Sequence, residues 1–296
     1  MVCLIGVLGT ATTVSAQHVA QSITSSDESL RSRYLPTSVG KKSSKNKTAR
    51  NKRSTNRTSS SAGDIRISFD PKQHGFAFPN WSGSFGDDLA NDETLRRLFG
   101  DKSICKSIEG SACTVYESVP SVLQRLNSEI VKGRCEGMAL LALHRFSQGI
   151  PGTSELTRSD VAQELSYWSS TQMLPSVRIA TTRSRNSSLR EFVQGISLTL
   201  QNGDTATLAM HGEFGDHTVV PYSITTSGSV VQIDVYDPNQ PMALPSLILD
   251  TATDTWRYSP DASSNGVTWS GHKGSLSYVP FSARYQQPTL AFESGR

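Results

Sequence analysis

Apolar side chains return every three or four positions through the middle of the chain and then, after Asn202, change to near alternation. The first pattern predicts helices over residues 117–130, 135–148, 158–169 and 188–201, the last closed by "QNG". The second predicts strands at "ATLAMHG", "HTVVPYSIT", "SVVQIDVYD", "PSLILD" and "TWRYS", separated by Gly, Pro, Asn and Asp. "TTSGS", residues 225–229, reads as a tight hairpin turn between two of them. A helical half followed by an antiparallel sheet half is an α+β arrangement, and no solenoid repeat runs through it.

Upstream of this body the pattern is different. Residues 1–16 form an apolar run relieved by small residues and ending in Val-Ser-Ala before Gln17, the shape of an export signal with its cleavage site. The run is shorter than the ~20 apolar residues that a membrane-spanning helix needs, so no transmembrane anchor is expected. Residues 17–63 hold few large apolar side chains and many Ser, Thr, Asn and Lys, too little burial to offset the entropy of folding, and read as a disordered tail. The folded domain is expected over residues 64–296, and the protein is expected to be secreted or held at the cell surface.

Charge sharpens that division. Residues 41–57, "KKSSKNKTARNKRSTNR", carry eight basic side chains and no acidic one. With Arg31 and Arg33 against Asp27 and Glu28 the tail holds +8, so the chain total of +3 leaves −5 on residues 64–296. The basic character belongs to the tail. It suits an anionic cell-surface polymer by simple attraction, or a solubilising spacer. No aromatic residue interleaves with the charges, so no specific nucleic-acid partner is expected.

Removal of the signal takes Cys3 with it and leaves Cys105, Cys113 and Cys135. Cys105 and Cys113 bracket "KSIEGSA", a polar loop that can bend back at Gly110 and bring two sulfurs together. That pairing leaves Cys135 free in an oxidising compartment, where a free thiol is either a small buried hydrophobe or a reactive group.

Cys135 falls at the start of "EGMALLALHRF", whose Met138, Leu141, Ala142 and Phe146 recur at helical spacing. A thiol at a helix N-terminus meets partial positive charge and unpaired amides, which favour the thiolate. His217 opens a strand after the glycine-rich "GEFGD", and Asp237 ends the next strand at "VYDPN". In an antiparallel pair the start of one strand lies beside the end of its partner, so these two side chains are expected to be close. Cysteine, histidine and aspartate then have the roles of nucleophile, base and the group that orients the base. Singly, each has a plain structural role as core residue, strand-end residue or turn former.

"GRCEGMALLAL", "GDHTVVPYSI" and "VYDPNQP" resemble the three active-site blocks of papain-like cysteine peptidases, especially secreted bacterial members near the C39-like group. Together with "FAFPNWSG", "LFGDKSIC" and "DTWRY", they are similar to a set of large exported bacterial proteins with a Gly-x-Cys-x-Gly-Met block. The resemblance spans most of residues 74–258. It implies a papain-like fold, a peptide or protein substrate, Cys135 as nucleophile, His217 as general base and Asp237 as the orienting carboxylate, with no cofactor or metal. Papain-like enzymes place a glutamine six residues before the cysteine, where this chain has Glu129; Asn127, preferred over Gln124, is the expected oxyanion donor beside the Cys135 amide.

Two other readings remain open. "GIP" at residues 149–151 fits a transglutaminase-like acyl transferase, whose chemistry also passes through an acyl-thioester. A secreted binding domain with an inactive triad would keep the same residues with an unreactive Cys135. A metal site is a poorer fit, because His144, His211, His217 and His272 lack metal-binding spacing.

Overall fold

The structure is a computed structural model that describes residues 64–84, 88–212, 215–259 and 269–285. The expected export signal, the tail and its basic block lie outside the described residues.

The chain enters through a two-residue strand, β1 (Ile65–Arg66), and four short elements follow: α1 (Pro71–His74), α2 (Asp92–Phe99), α3 (Asp101–Ile104) and the hairpin β2 (Cys105–Glu109) and β3 (Ala112–Val115). Between Cys105 and Cys113 the polar loop is therefore a two-stranded ribbon turning at Gly110, whose φ of 63° suits glycine, and a disulfide joins the two cysteines at a Cα–Cα distance of 5.4 Å. Four longer helices precede the sheet after α4 (Val119–Ile130): α5 (Cys135–Ser147), α6 (Arg158–Ser170), α7 (Pro175–Asn186) and α8 (Leu189–Gln201).

Each helix has a local cause. α8 starts on a reciprocal cap between Ser188 and Glu191 and buries Leu189, Phe192, Ile196 and Leu200 on one face. α6 starts on the same device, with Thr157 and Asp160. α5 differs: every residue from Cys135 to Leu143 is buried, as expected of a helix enclosed on all sides. Gly137 permits that enclosure. A Cβ there would stand 2.5 Å from both the Leu165 carbonyl oxygen and Ser169 Oγ, so α5 and α6 could not approach this closely with any larger residue.

Among the described residues, seven strands form the second half: β4 (Ala206–Gly212), β5 (Gly215–Ser227), β6 (Val230–Tyr236), β7 (Ser246–Asp250), β8 (Thr255–Ser259), β9 (Trp269–His272) and β10 (Leu276–Pro280). They pair antiparallel in the order β10-β4-β5-β6-β7-β8-β9, and β1 adds to β5. The sheet curls until its far strand returns near β4, where a Cβ on Gly212 would lie 3.2 Å from the Trp269 ring.

Alternation along β5 separates two cores. Val220 and Tyr222 pack with Met138, Leu141 and Trp168 on the α5 side, whereas Val219 packs with Phe192, Ile196, Val235 and Tyr258 on the α8 side. A third cluster joins α2, α4 and α7 through Leu95, Leu126 and Val177. α7 carries no apolar stripe that would announce it. Proline opens its first turn, and Ser184 ties it to β10 by donating to the Tyr278 carbonyl and accepting the Tyr278 N–H, each at 3.1 Å.

Candidate active site

The histidine and the aspartate meet because of strand geometry. β6 pairs with β5 from Val220 opposite Tyr236 onward, so Asp237 leaves β6 just where His217 stands on β5. His217 Nε2 lies 2.7 Å from Asp237 Oδ1, and both residues are 1% exposed. With Nε2–H donated to the carboxylate, Nδ1 is the nitrogen left for proton exchange.

Asp237 is held on all sides. Its Oδ2 accepts a hydrogen bond from the Tyr258 hydroxyl, and its Oδ1 also accepts the Asn239 N–H at 2.7 Å. Burial alone would push this carboxyl up. The His217 charge and the hydrogen bonds from His217, Tyr258 and Asn239 outweigh it and hold the group below the ordinary carboxylate range. Burial and the adjacent Asp237 charge push the Tyr258 phenol the other way, so it stays a donor.

A depressed carboxyl stabilises the fold above the unfolded pKa of ~3.9 and loses that contribution as pH falls through the lower folded value. Urea melts of the protein and of Asp237→Asn are therefore expected to differ at pH 7 and to converge as pH drops below about 4. A gap that stays constant down to pH 2 would contradict a charged, hydrogen-bonded Asp237.

Cys135 reaches the same strand from the helix. Residues 215–219 of β5 pair with β4 on one side, and on the other β6 has already ended. Cys135, at the first position of α5 and fully buried, fills that notch, and the Thr218 N–H donates to its Sγ at 3.4 Å. The thiol thus docks on the residue that follows His217, against a backbone donor that favours its anion.

The two charges that flank Cys135 are both buried and both paired. Arg134 Nη2 is 2.5 Å from Asp88 Oδ2, and its guanidinium also covers the Trp81 ring at 4.8 Å from the centroid. Glu136 Oε1 pairs with Arg284 Nη2, while its Oε2 accepts from Thr218 Oγ1 at 2.8 Å. The negative charge that sequence places beside Cys135 is therefore compensated by Arg284, which is itself bonded to Thr171 Oγ1 at 2.7 Å. Cys135 is clamped from both sides.

Asn80 joins the two halves of the site. Its Oδ1 accepts the Arg134 N–H at 2.6 Å, and its Nδ2 donates to Asn239 Oδ1 at 2.9 Å. The Asn80 N–H donates to the Pro238 carbonyl at 2.8 Å. Asn239 Nδ2 in turn lies 3.4 Å from each nitrogen of the His217 ring, and Trp269 stands beside that ring with centroids 6.2 Å apart.

Of the residues expected in the site, the structure brings together Cys135, His217 and Asp237. Asn127 it places elsewhere. Both ends of that carboxamide are committed to the Ala90 backbone, accepting its N–H and donating to its carbonyl at 2.9 Å each, because α4 uses Asn127 to hold the segment before α2. Glu129 pairs with Lys132 at 2.7 Å. His211 is bound to Ser277 and Asp216 at 2.9 and 3.0 Å. Asn80, Thr218, Asn239, Tyr258 and Arg284 escape sequence reasoning as site residues, since no spacing links them. The quoted blocks "FAFPNWSG", "GDHTVVPYSI", "VYDPNQP" and "DTWRY" do contain four of them.

A cavity of about 460 Å³ lined by Ala77, Phe78, Leu156, Thr157, Arg158 and Ser159 adjoins the segment that carries Asn80, and none of Cys135, His217 and Asp237 lines it. No helix among the described residues is long and apolar enough to cross a membrane. No family model, curated protein or solved structure matches the chain.

Proposed function

We propose that residues 64–296 form a papain-like cysteine hydrolase that cleaves an amide bond in a peptide or protein outside the cytoplasm. The observation that carries the reading is the buried His217–Asp237 pair, placed on the strand whose next amide holds the sulfur of a helix-start cysteine. A histidine in that position takes the thiol proton, and the helix N-terminus with the Thr218 N–H stabilises the sulfur anion.

The reaction follows from those positions. The Cys135 thiolate attacks the substrate carbonyl carbon, a C–S bond forms, and the carbonyl pair moves onto oxygen. Collapse of this adduct breaks the C–N bond, and the amine leaves with the proton held on His217, giving an acyl-thioester. Water then gives a proton to His217 as its oxygen attacks the thioester. Release of the acid restores thiolate and imidazolium. Asp237 holds the ring and its positive charge throughout.

One observation favours a second reading, a binding domain with no catalysis: Cys135 is 0% exposed. Iodoacetamide alkylation of Cys135 between pH 4 and 9, followed by peptide mass mapping, separates the two. The hydrolase gives rapid labelling well below pH 7 that disappears in His217→Ala. Labelling that tracks an ordinary thiol near ~8.5, or none in the folded protein, would sink the hydrolase and leave the binding domain.

A further inference from the structure

Resting on that reading, we propose that Asn80 supplies the side-chain donor of the oxyanion hole, beside the backbone N–H of Cys135. An acyl-transfer site needs two fixed donors aimed where the substrate oxygen gains charge. The first is given by position: Cys135 is the first residue of α5, where backbone N–H groups point out of the end of the helix, and the N-cap residue Arg134 makes no side-chain cap. The second must be a donor fixed next to the same backbone.

Asn80 meets each requirement. It is 6% exposed, so its carboxamide is shielded from water, where a hydrogen bond to a developing charge is strongest. It is immobilised at three points, by the Arg134 N–H, by Asn239 Oδ1 and by its own N–H on Pro238. The bond from Arg134 also settles which end of the amide is which: Oδ1 accepts, so the other end is the donor. A carboxamide is planar, and one of the two Nδ2 hydrogens is syn to Oδ1. Oδ1 points at the residue just before the nucleophile, so the syn hydrogen is directed to the same side, the mouth of α5. Nδ2 also donates to Asn239 Oδ1.

The assignment explains the fate of Asn127 and Glu129. At the position where a papain-like enzyme carries its glutamine, α4 has Glu129, which holds Lys132, and the nearby Asn127 holds Ala90. A segment 54 residues before the N-cap Arg134 delivers an amide to that end of the site instead.

The test uses two reagents that differ in one respect. Iodoacetamide alkylation reports the thiolate and develops no charge on a carbonyl oxygen. An aldehyde is captured as a hemithioacetal, in which the C–S bond forms and the carbonyl oxygen takes up the charge that the hole would stabilise. The probe is a mixed-sequence N-acetyl tripeptide aldehyde library, competed against alkylation in the full chain, with thermal melts as the check on folding.

Asn80→Ala is expected to weaken aldehyde capture roughly a hundredfold while the pH profile of alkylation keeps its midpoint. Asn80→Asp keeps the acceptor for Arg134 N–H and removes the donor. It carries the test if the alanine variant fails to fold, with capture normalised to alkylation at the same pH, and it too is expected to lose capture.

Unchanged capture in the variants would overturn the assignment, as would wild-type protein that labels rapidly yet captures no aldehyde. Capture and alkylation falling together in Asn80→Ala would make Asn80 a positioning residue for His217 and overturn its role as donor. If wild-type Cys135 labels only as an ordinary thiol, the hydrolase reading itself has failed, and this inference falls with it.

Discussion

The Asp237→Asn substitution is expected to slow alkylation of Cys135 at pH 6 by about two orders of magnitude, because an unassisted thiol of pKa ~8.5 is only ~0.3% ionised there. Three contacts converge on this carboxylate, from His217 Nε2, the Tyr258 hydroxyl and the Asn239 N–H. An amide of the same shape accepts at one atom only. Its NH2 group must face either the histidine or the tyrosine, and no negative charge remains beside a buried imidazolium. An unpaired charge is costly to bury, so under the proposed mechanism the imidazolium that balances the thiolate is lost and the proton returns to sulfur. Tyr258→Phe removes one hydrogen bond and leaves the charge, so its effect on the same rate is expected to be smaller, about tenfold or less. Equal rates for Asp237→Asn and wild type at pH 6 would show that the carboxylate does not support the thiolate.

The largest effect on stability is expected at Arg284, far from Cys135 in sequence and joined to its neighbour Glu136 in space. Arg284 is almost wholly buried, pairs with Glu136, and reaches Thr171 and Thr207 as well. In Arg284→Met the arginine stem is replaced but Glu136 keeps only the Thr218 hydroxyl as partner. Breaking a buried pair from one side costs roughly 3–5 kcal/mol, which for a unit of this size lowers the melting temperature by about 10 °C. Removing both charges is less damaging than removing one, so Glu136→Gln with Arg284→Met is expected to recover most of the loss. Additive losses in that double mutant, by calorimetry, would mean that the two side chains do not act as a pair. Cys135 alkylation should fall in Arg284→Met and return in the double mutant, since a lone buried anion beside the thiol opposes its ionisation.

The order of elements was legible because it depends on local periodicity. The strands at "ATLAMHG", "SVVQIDVYD" and "PSLILD" occur where alternation placed them, and α5, α6 and α8 occur where apolar residues recur at helical spacing. α7 and the β2–β3 ribbon lack such a signal. α7 is polar around most of its circumference and is stabilised by contacts with β10 that lie about a hundred residues away. Helix propensity alone is too weak to reveal an element that tertiary packing selects.

The same division runs through the candidate site. Sequence by itself determined the residues whose position follows from an element's start or end: Cys135 at the mouth of a helix, and His217 and Asp237 at adjoining ends of two paired strands. Only the tertiary structure decided their surroundings. Asn80, Tyr258 and Arg284 come from segments that no period connects to Cys135, and Asn127, close in sequence, was drawn into holding Ala90 instead. The physical reason is the range of the forces involved. Backbone periodicity is set by neighbours along the chain, whereas the partner of a buried polar group is whichever group the packed core brings within about 3 Å of it, so that neither is left unsatisfied.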